Sequence, residues 1–105
     1  MIHVHVNRNV TDKVEVTGHA EYSEIGSDIV CSAVSMIMFT IANKLDAMEK
    51  FITIEIDEED GGYMQIEVVK SDDETKLLMD TLILGLEMIE EQYNEYIDIR
   101  EANNA

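Results

Sequence analysis

The sequence predicts an α+β domain: two layers, a mainly antiparallel five-stranded sheet with two helices packed on one face, in the order β-β-α-β-β-α-β. Three observations lead there. Every strand-like segment alternates apolar and polar residues, which is the pattern of a sheet with one covered and one open face. Two long segments carry apolar residues at helical spacing. Turn residues separate the alternating segments in pairs, as hairpins require. The 105 residues suffice for one domain, 1–105, and not for two.

Ile2, Val4 and Val6 alternate with His3, His5 and Asn7, giving a first strand. After a turn at Asn7-Arg8-Asn9, Val14 and Val16 alternate with Lys13, Glu15 and Thr17, and the two strands pair as a hairpin. Gly18 interrupts the second strand and lets the backbone re-aim His19. A polar loop spans 20–27. Ser27 and Asp28 are good N-cap residues for a helix from Ile29 to about Glu49. Val30, Ala33, Val34, Ile37, Ile41 and Leu45 form its stripe. Ile29, Met36 and Phe39 lie opposite, so a second helix or another subunit must cover that side.

Ile52, Ile54 and Ile56 alternate with Thr53, Glu55 and Asp57, and Met64, Ile66 and Val68 with Gln65 and Glu67. The acidic, glycine-containing turn between them makes this the clearest hairpin in the chain. Ser71, Asp72 or Asp73 caps a second helix reaching about Gln92. Its faces are Leu78, Leu82, Gly85, Leu86, Ile89 and Tyr93 on one side and Leu77, Leu84 and Met88 on another. Gly85 costs about 1 kcal/mol relative to alanine; close approach to Ser32, Ala33 and Ser35 of the first helix is the expected compensation. Tyr96, Ile97 and Ile99 mark a short last strand.

Apolar content of 46% fits an ordered core. The net charge of −16, from 23 acidic and 7 basic side chains, argues against nucleic acid and anionic membranes, which need a basic footprint. It favours a basic partner, although the same charge also keeps a small protein soluble. A single cysteine makes neither an internal disulfide nor a multi-thiolate zinc site. The N-terminal segment alternates and has no basic n-region, so it does not read as a signal peptide. The apolar run Ile29 to Ala42 is too short to span a bilayer. The expected location is the cytoplasm.

The chemistry-bearing residues gather between Gly18 and Cys31. With a helix beginning near Ile29, Cys31 falls in its first turn, where the macrodipole and unpaired amides favour a thiolate and a developing oxyanion. A nearby histidine would act as acid and base, and His19 stands twelve residues before the cysteine. The plainer reading is a small core cysteine, one turn from Val34, and a strand-end histidine. His3 and His5 share a strand face at i, i+2 but lack a third ligand, so no metal is assigned. The acidic run Asp57 to Asp60 lacks calcium-loop spacing, and there is no P-loop or dinucleotide fingerprint.

The residues Gly18-His19-Ala20-Glu21-Tyr22, then Gly26, then Asp28-Ile29-Val30-Cys31-Ser32-Ala33-Val34-Ser35 resemble the ribosomal-processing cysteine protease family, Prp. Its pattern joins a Gly-His-Ala segment to a Gly-x-Asp-Ile-Val-Cys-Ala-Ala-Val-Ser helix start. Ser32 replaces the usual alanine. The resemblance implies a cytoplasmic endopeptidase that removes the N-terminal extension of a bacterial large-subunit ribosomal protein, number twenty-seven. It implies Cys31 as nucleophile and His19 as general acid/base. It also implies a mobile substrate loop including Ala20, Glu21, Tyr22 and Gly26, and a homodimer that covers the second apolar faces of the helices. No cofactor is implied. Asp28 and Ser35 stand where they could support the site. The alternative is a non-enzymatic acidic module that escorts a basic ribosomal protein.

Overall fold

The structure, a computed structural model, describes residues 1–9, 11–18, 25–57 and 62–102, and for residues 25–28 the backbone alone. Its elements are β1 (Ile2–Asn7), β2 (Asp12–Thr17), α1 (Ile25–Ala47), β3 (Ile52–Asp57), β4 (Tyr63–Val68), α2 (Asp73–Gln92) and β5 (Ile97–Glu101). This is the expected order.

The strands form one sheet in the order β3-β4-β2-β1-β5. The pairs β1–β2, β2–β4 and β3–β4 are antiparallel, whereas β5 runs parallel to β1, so the sheet is mixed. The parallel pair follows from the connection: α2 carries the chain back across the sheet before β5 begins, as a helical crossover allows.

The core lies between the sheet and the two helices. Val4, Val6, Val14, Val16, Ile66 and Val68 supply the sheet side. Val30, Val34, Met38, Ile41, Ala42 and Leu45 supply α1, and Met79, Leu82, Ile83 and Leu86 supply α2. Each large side chain buried in this way contributes roughly 1.5–3 kcal/mol. Met38 and Ala42 replace Ala33 and Ile37 of the expected α1 stripe, a rotation of part of a turn. By length and composition the stretch Ile29–Ala47 is apolar enough to cross a membrane, contrary to the reading of a shorter run. In this fold it is the core helix, with its buried stripe against the sheet.

α1 begins at Ile25, four residues before the expected start, so Ser27 and Asp28 lie in its first turn instead of capping it. Small polar and acidic residues suit that turn as well as a cap, because the macrodipole favours them there. α2 has the expected cap. Asp72 accepts from the Thr75 amide at 2.8 Å, while Thr75 Oγ1 accepts from the Asp72 amide at 2.9 Å, a reciprocal capping box. A Cβ added at Gly85 would lie 2.5 Å from Ile37 Cδ1, so the close approach involves Ile37, not the small residues Ser32, Ala33 and Ser35.

β3 departs from expectation. Ile54 and Ile56 face the helix side, opposite Ile66 and Met64, yet they are 39% and 50% exposed. The helices cover the interior strands and leave this edge open.

Candidate active site

Cys31 is half-buried on α1 and packs against the core. The helix starts about one turn earlier than the cysteine-in-first-turn reading requires. Only the first four amides of a helix lack ladder partners, and the macrodipole effect fades beyond the first turn. The Cys31 amide is therefore a member of the helix ladder and does not serve as an oxyanion donor.

What Cys31 does have is a cleft. About 410 Å³ opens between α1 and the strand ends. Cys31, Val34, Ser35 and Phe39 line one wall, their spacing placing them along one helical ridge. The opposite wall comes from Ile2 of β1, Val16 and Gly18 at the end of β2, Ile56 and Asp57 of β3, and Gly62, Tyr63 and Met64 at the start of β4. The lining is mostly apolar, as in a pocket that takes up side chains.

Gly18 closes the sheet end of this cleft. Its φ is +93°, in the region open to glycine. A Cβ there would stand 2.5 Å from the Met1 carbonyl oxygen. Its amide donates to the Gly62 carbonyl at 3.1 Å, fixing the point at which the chain leaves β2. Tyr63, at the same end of the sheet, turns its side chain to the open face. Its hydroxyl donates to Gln65 Oε1 at 2.5 Å and lies 3.2 Å from Glu15 Oε2. Burial, then the neighbouring Glu15 carboxylate, pushes that hydroxyl up to about 12.

The cleft brings together Cys31 and Ser35 of the expected site residues. Gly26 and Asp28 sit in the first turn of α1, Asp28 one turn before Cys31, and of these two the backbone alone is described. His19, Ala20, Glu21 and Tyr22 lie outside the described residues. His3, considered for a metal pair, bonds through Nδ1 to Asp98 Oδ1 at 2.7 Å on the open face of the sheet.

The family model described as "Cysteine protease Prp" matches residues 1–98. The chain belongs to the Prp cysteine protease family. Among curated Prp proteins, the ribosomal processing cysteine protease of Staphylococcus aureus is 34% identical over 98 residues, 88% of this chain and 92% of that one. The Bacillus subtilis protein of the same name is 33% identical over 90 residues, 81% and 80% of the two chains. A crystal structure of an essential ribosomal processing protease Prp from S. aureus, in complex with a covalently linked product peptide, matches with a TM-score of 0.83. Its identity is 31%, over 97% of this chain and all of that one.

The sequence singled out Cys31 and Ser35 of this cleft and missed most of its walls. Phe39 read as a helix face needing cover, and Ile56 and Met64 as strand residues, while Tyr63 was not singled out. They converge only because four elements end at one place, and no local pattern carries that information.

Proposed function

We propose that this Prp-family cysteine protease is an endopeptidase of the cytoplasm. Its substrate is the N-terminal extension of the large-subunit ribosomal protein number twenty-seven, a basic partner suited to a chain of net charge −16. Cys31 is the nucleophile and His19 the general acid/base. Asp28 and Ser35 support the dyad, and Ala20, Glu21, Tyr22 and Gly26 belong to the substrate-contacting loop. A second copy of the chain covers the helix faces that expose Leu77, Leu84 and Met88.

The observation that carries this reading is that Cys31 and Gly18 line one cleft, and Gly18 directly precedes His19 in the chain. The proposed steps are those of a thiol protease. Cys31 Sγ, its proton taken by His19, bonds to the scissile carbonyl carbon, and the carbonyl electron pair moves to oxygen. The C–N bond breaks as His19 returns the proton to the leaving amine, which leaves a thioester. Water, deprotonated by His19, attacks the thioester, and the proton passes to Cys31 as the acid product departs.

The test is mass spectrometry of the ribosomal protein's N-terminus after incubation with this enzyme. Wild type is expected to shorten it catalytically, and Cys31→Ala to leave it intact. Cleavage by Cys31→Ala would end the proposal. Equal stoichiometric binding by both proteins without turnover would support the escort role instead.

A further inference from the structure

We infer that the uncovered edge of β3 is a docking strip on which the extended flank of a cationic substrate peptide adds as a sixth strand. The inference rests on the protease reading above, because the strip feeds the same cleft.

The ladder register supplies the first part. The Phe51 carbonyl accepts from the Val69 amide at 2.8 Å. Hydrogen-bonded pairs alternate along an antiparallel ladder, so Phe51, Thr53, Glu55 and Asp57 turn their backbone groups toward β4. Ile52, Ile54 and Ile56 therefore turn theirs outward, and no described strand lies beyond β3. An edge of this kind is a template for another chain, and sheets commonly protect it with proline, lysine, a bulge or a covering element. The segment Ile-Thr-Ile-Glu-Ile-Asp has neither proline nor lysine.

The second part is continuity. Ile56 and Asp57, at the end of β3, line the cleft that Cys31 lines. A chain paired with β3 runs toward that cleft without turning. On the helix side, exposed Ile54, Ile56 and Phe39 offer apolar contact to every second residue of such a chain.

The third part selects the occupant. On the open face β3 presents the exposed side chain of Glu55, and the cross-strand register sets Glu67, Glu15 and Glu55 on neighbouring strands of that face. A second copy paired through β3 would add its own Glu55 to this field, whereas lysine or arginine on the added strand meets it favourably. The expected occupant thus alternates apolar residues toward Ile54 and Ile56 with basic or polar residues toward Glu55.

The probe is a synthetic peptide spanning the cleavage site of the ribosomal-protein extension, with a short version keeping two residues on each side of the scissile bond. Binding of the long peptide to the full-length Cys31→Ala protein is followed by fluorescence anisotropy. N-methylation of successive flank residues is expected to weaken binding by about five- to tenfold at every second position and little between them. Ile54→Pro removes only an outward amide and is expected to weaken binding similarly, while Ile54→Thr, which keeps the amide, largely retains it. Raised salt should weaken the long peptide more than the short one. Uniform or absent N-methyl effects overturn the inference, as does failure of the long peptide to bind. So does an Ile54→Pro effect confined to oligomeric state in sedimentation, which assigns the edge to a second copy. Cleavage of the short peptide by wild type shows, in each of these cases, that the protease reading survives; no cleavage of either peptide removes that reading itself.

Discussion

Ile54 and Ile66 are the same residue type, face the same side of the sheet and stand directly opposite each other on β3 and β4. Ile66 is fully buried and Ile54 is 39% exposed. The pair separates two properties that alternation tends to merge. A period of two says which face of the sheet a side chain takes. It does not say whether anything covers that face. β1, β2 and β4 lie under the helices, and their inward residues form the core; β3 carries an equally clean pattern and lies at the margin. The uncovered margin is also where the cleft opens, so the interior strands hold the fold and the edge borders the cleft.

The sharpest way to break this contrast is to truncate both members. Ile66→Ala should cost about 2–5 kcal/mol in denaturant unfolding, because a buried cavity is left. Ile54→Ala should cost about 1 kcal/mol or less, close to a surface change. Equal losses would mean that β3 is covered in solution. Next in size is Gly18→Ala, where positive φ and the Met1 carbonyl both oppose a Cβ. A loss of about 1–3 kcal/mol is expected by thermal unfolding, together with reduced turnover because the cleft wall shifts.

A smaller effect is expected from Tyr63→Phe, on the open face beside Glu15 and Gln65. The Tyr63 hydroxyl ionises more readily in the unfolded chain, near 10, than in the fold, near 12. Wild-type stability from this group is intact below pH 10 and is lost as pH rises toward 12. Tyr63→Phe should lose about 1 kcal/mol at pH 8 and show a shallower fall in that window, measured by urea unfolding at stepped pH. Smallest of all, Gly85→Ala should be nearly neutral. The gain in helix propensity, about 1 kcal/mol, is offset by contact with the tip of Ile37, a side chain that can shift.

The strands and helices were legible because each carries a periodic apolar face, and Cys31, which lines the cleft, stood out as the chain's one cysteine. The direction of β5 was not. Tyr96, Ile97 and Ile99 say that a strand forms, while its partner is decided by where α2 returns the chain. The start of α1 was displaced because Ser27 and Asp28 suit a cap and a first turn equally, and that displacement took the Cys31 amide out of the helix mouth. The openness of β3 was hidden because coverage depends on where α1 lies across the sheet.

The contact between Gly18 and the Met1 carbonyl has a practical side for anyone producing the protein. Ile2 lines the cleft, so an affinity tag fused ahead of Met1 emerges beside it. β5 runs parallel to β1, and the Ala102 amide bonds to the Val6 carbonyl. At Ala102 the chain thus stands at the opposite end of the sheet from the cleft, which favours the carboxyl side as the handle for purification, immobilisation and labelling.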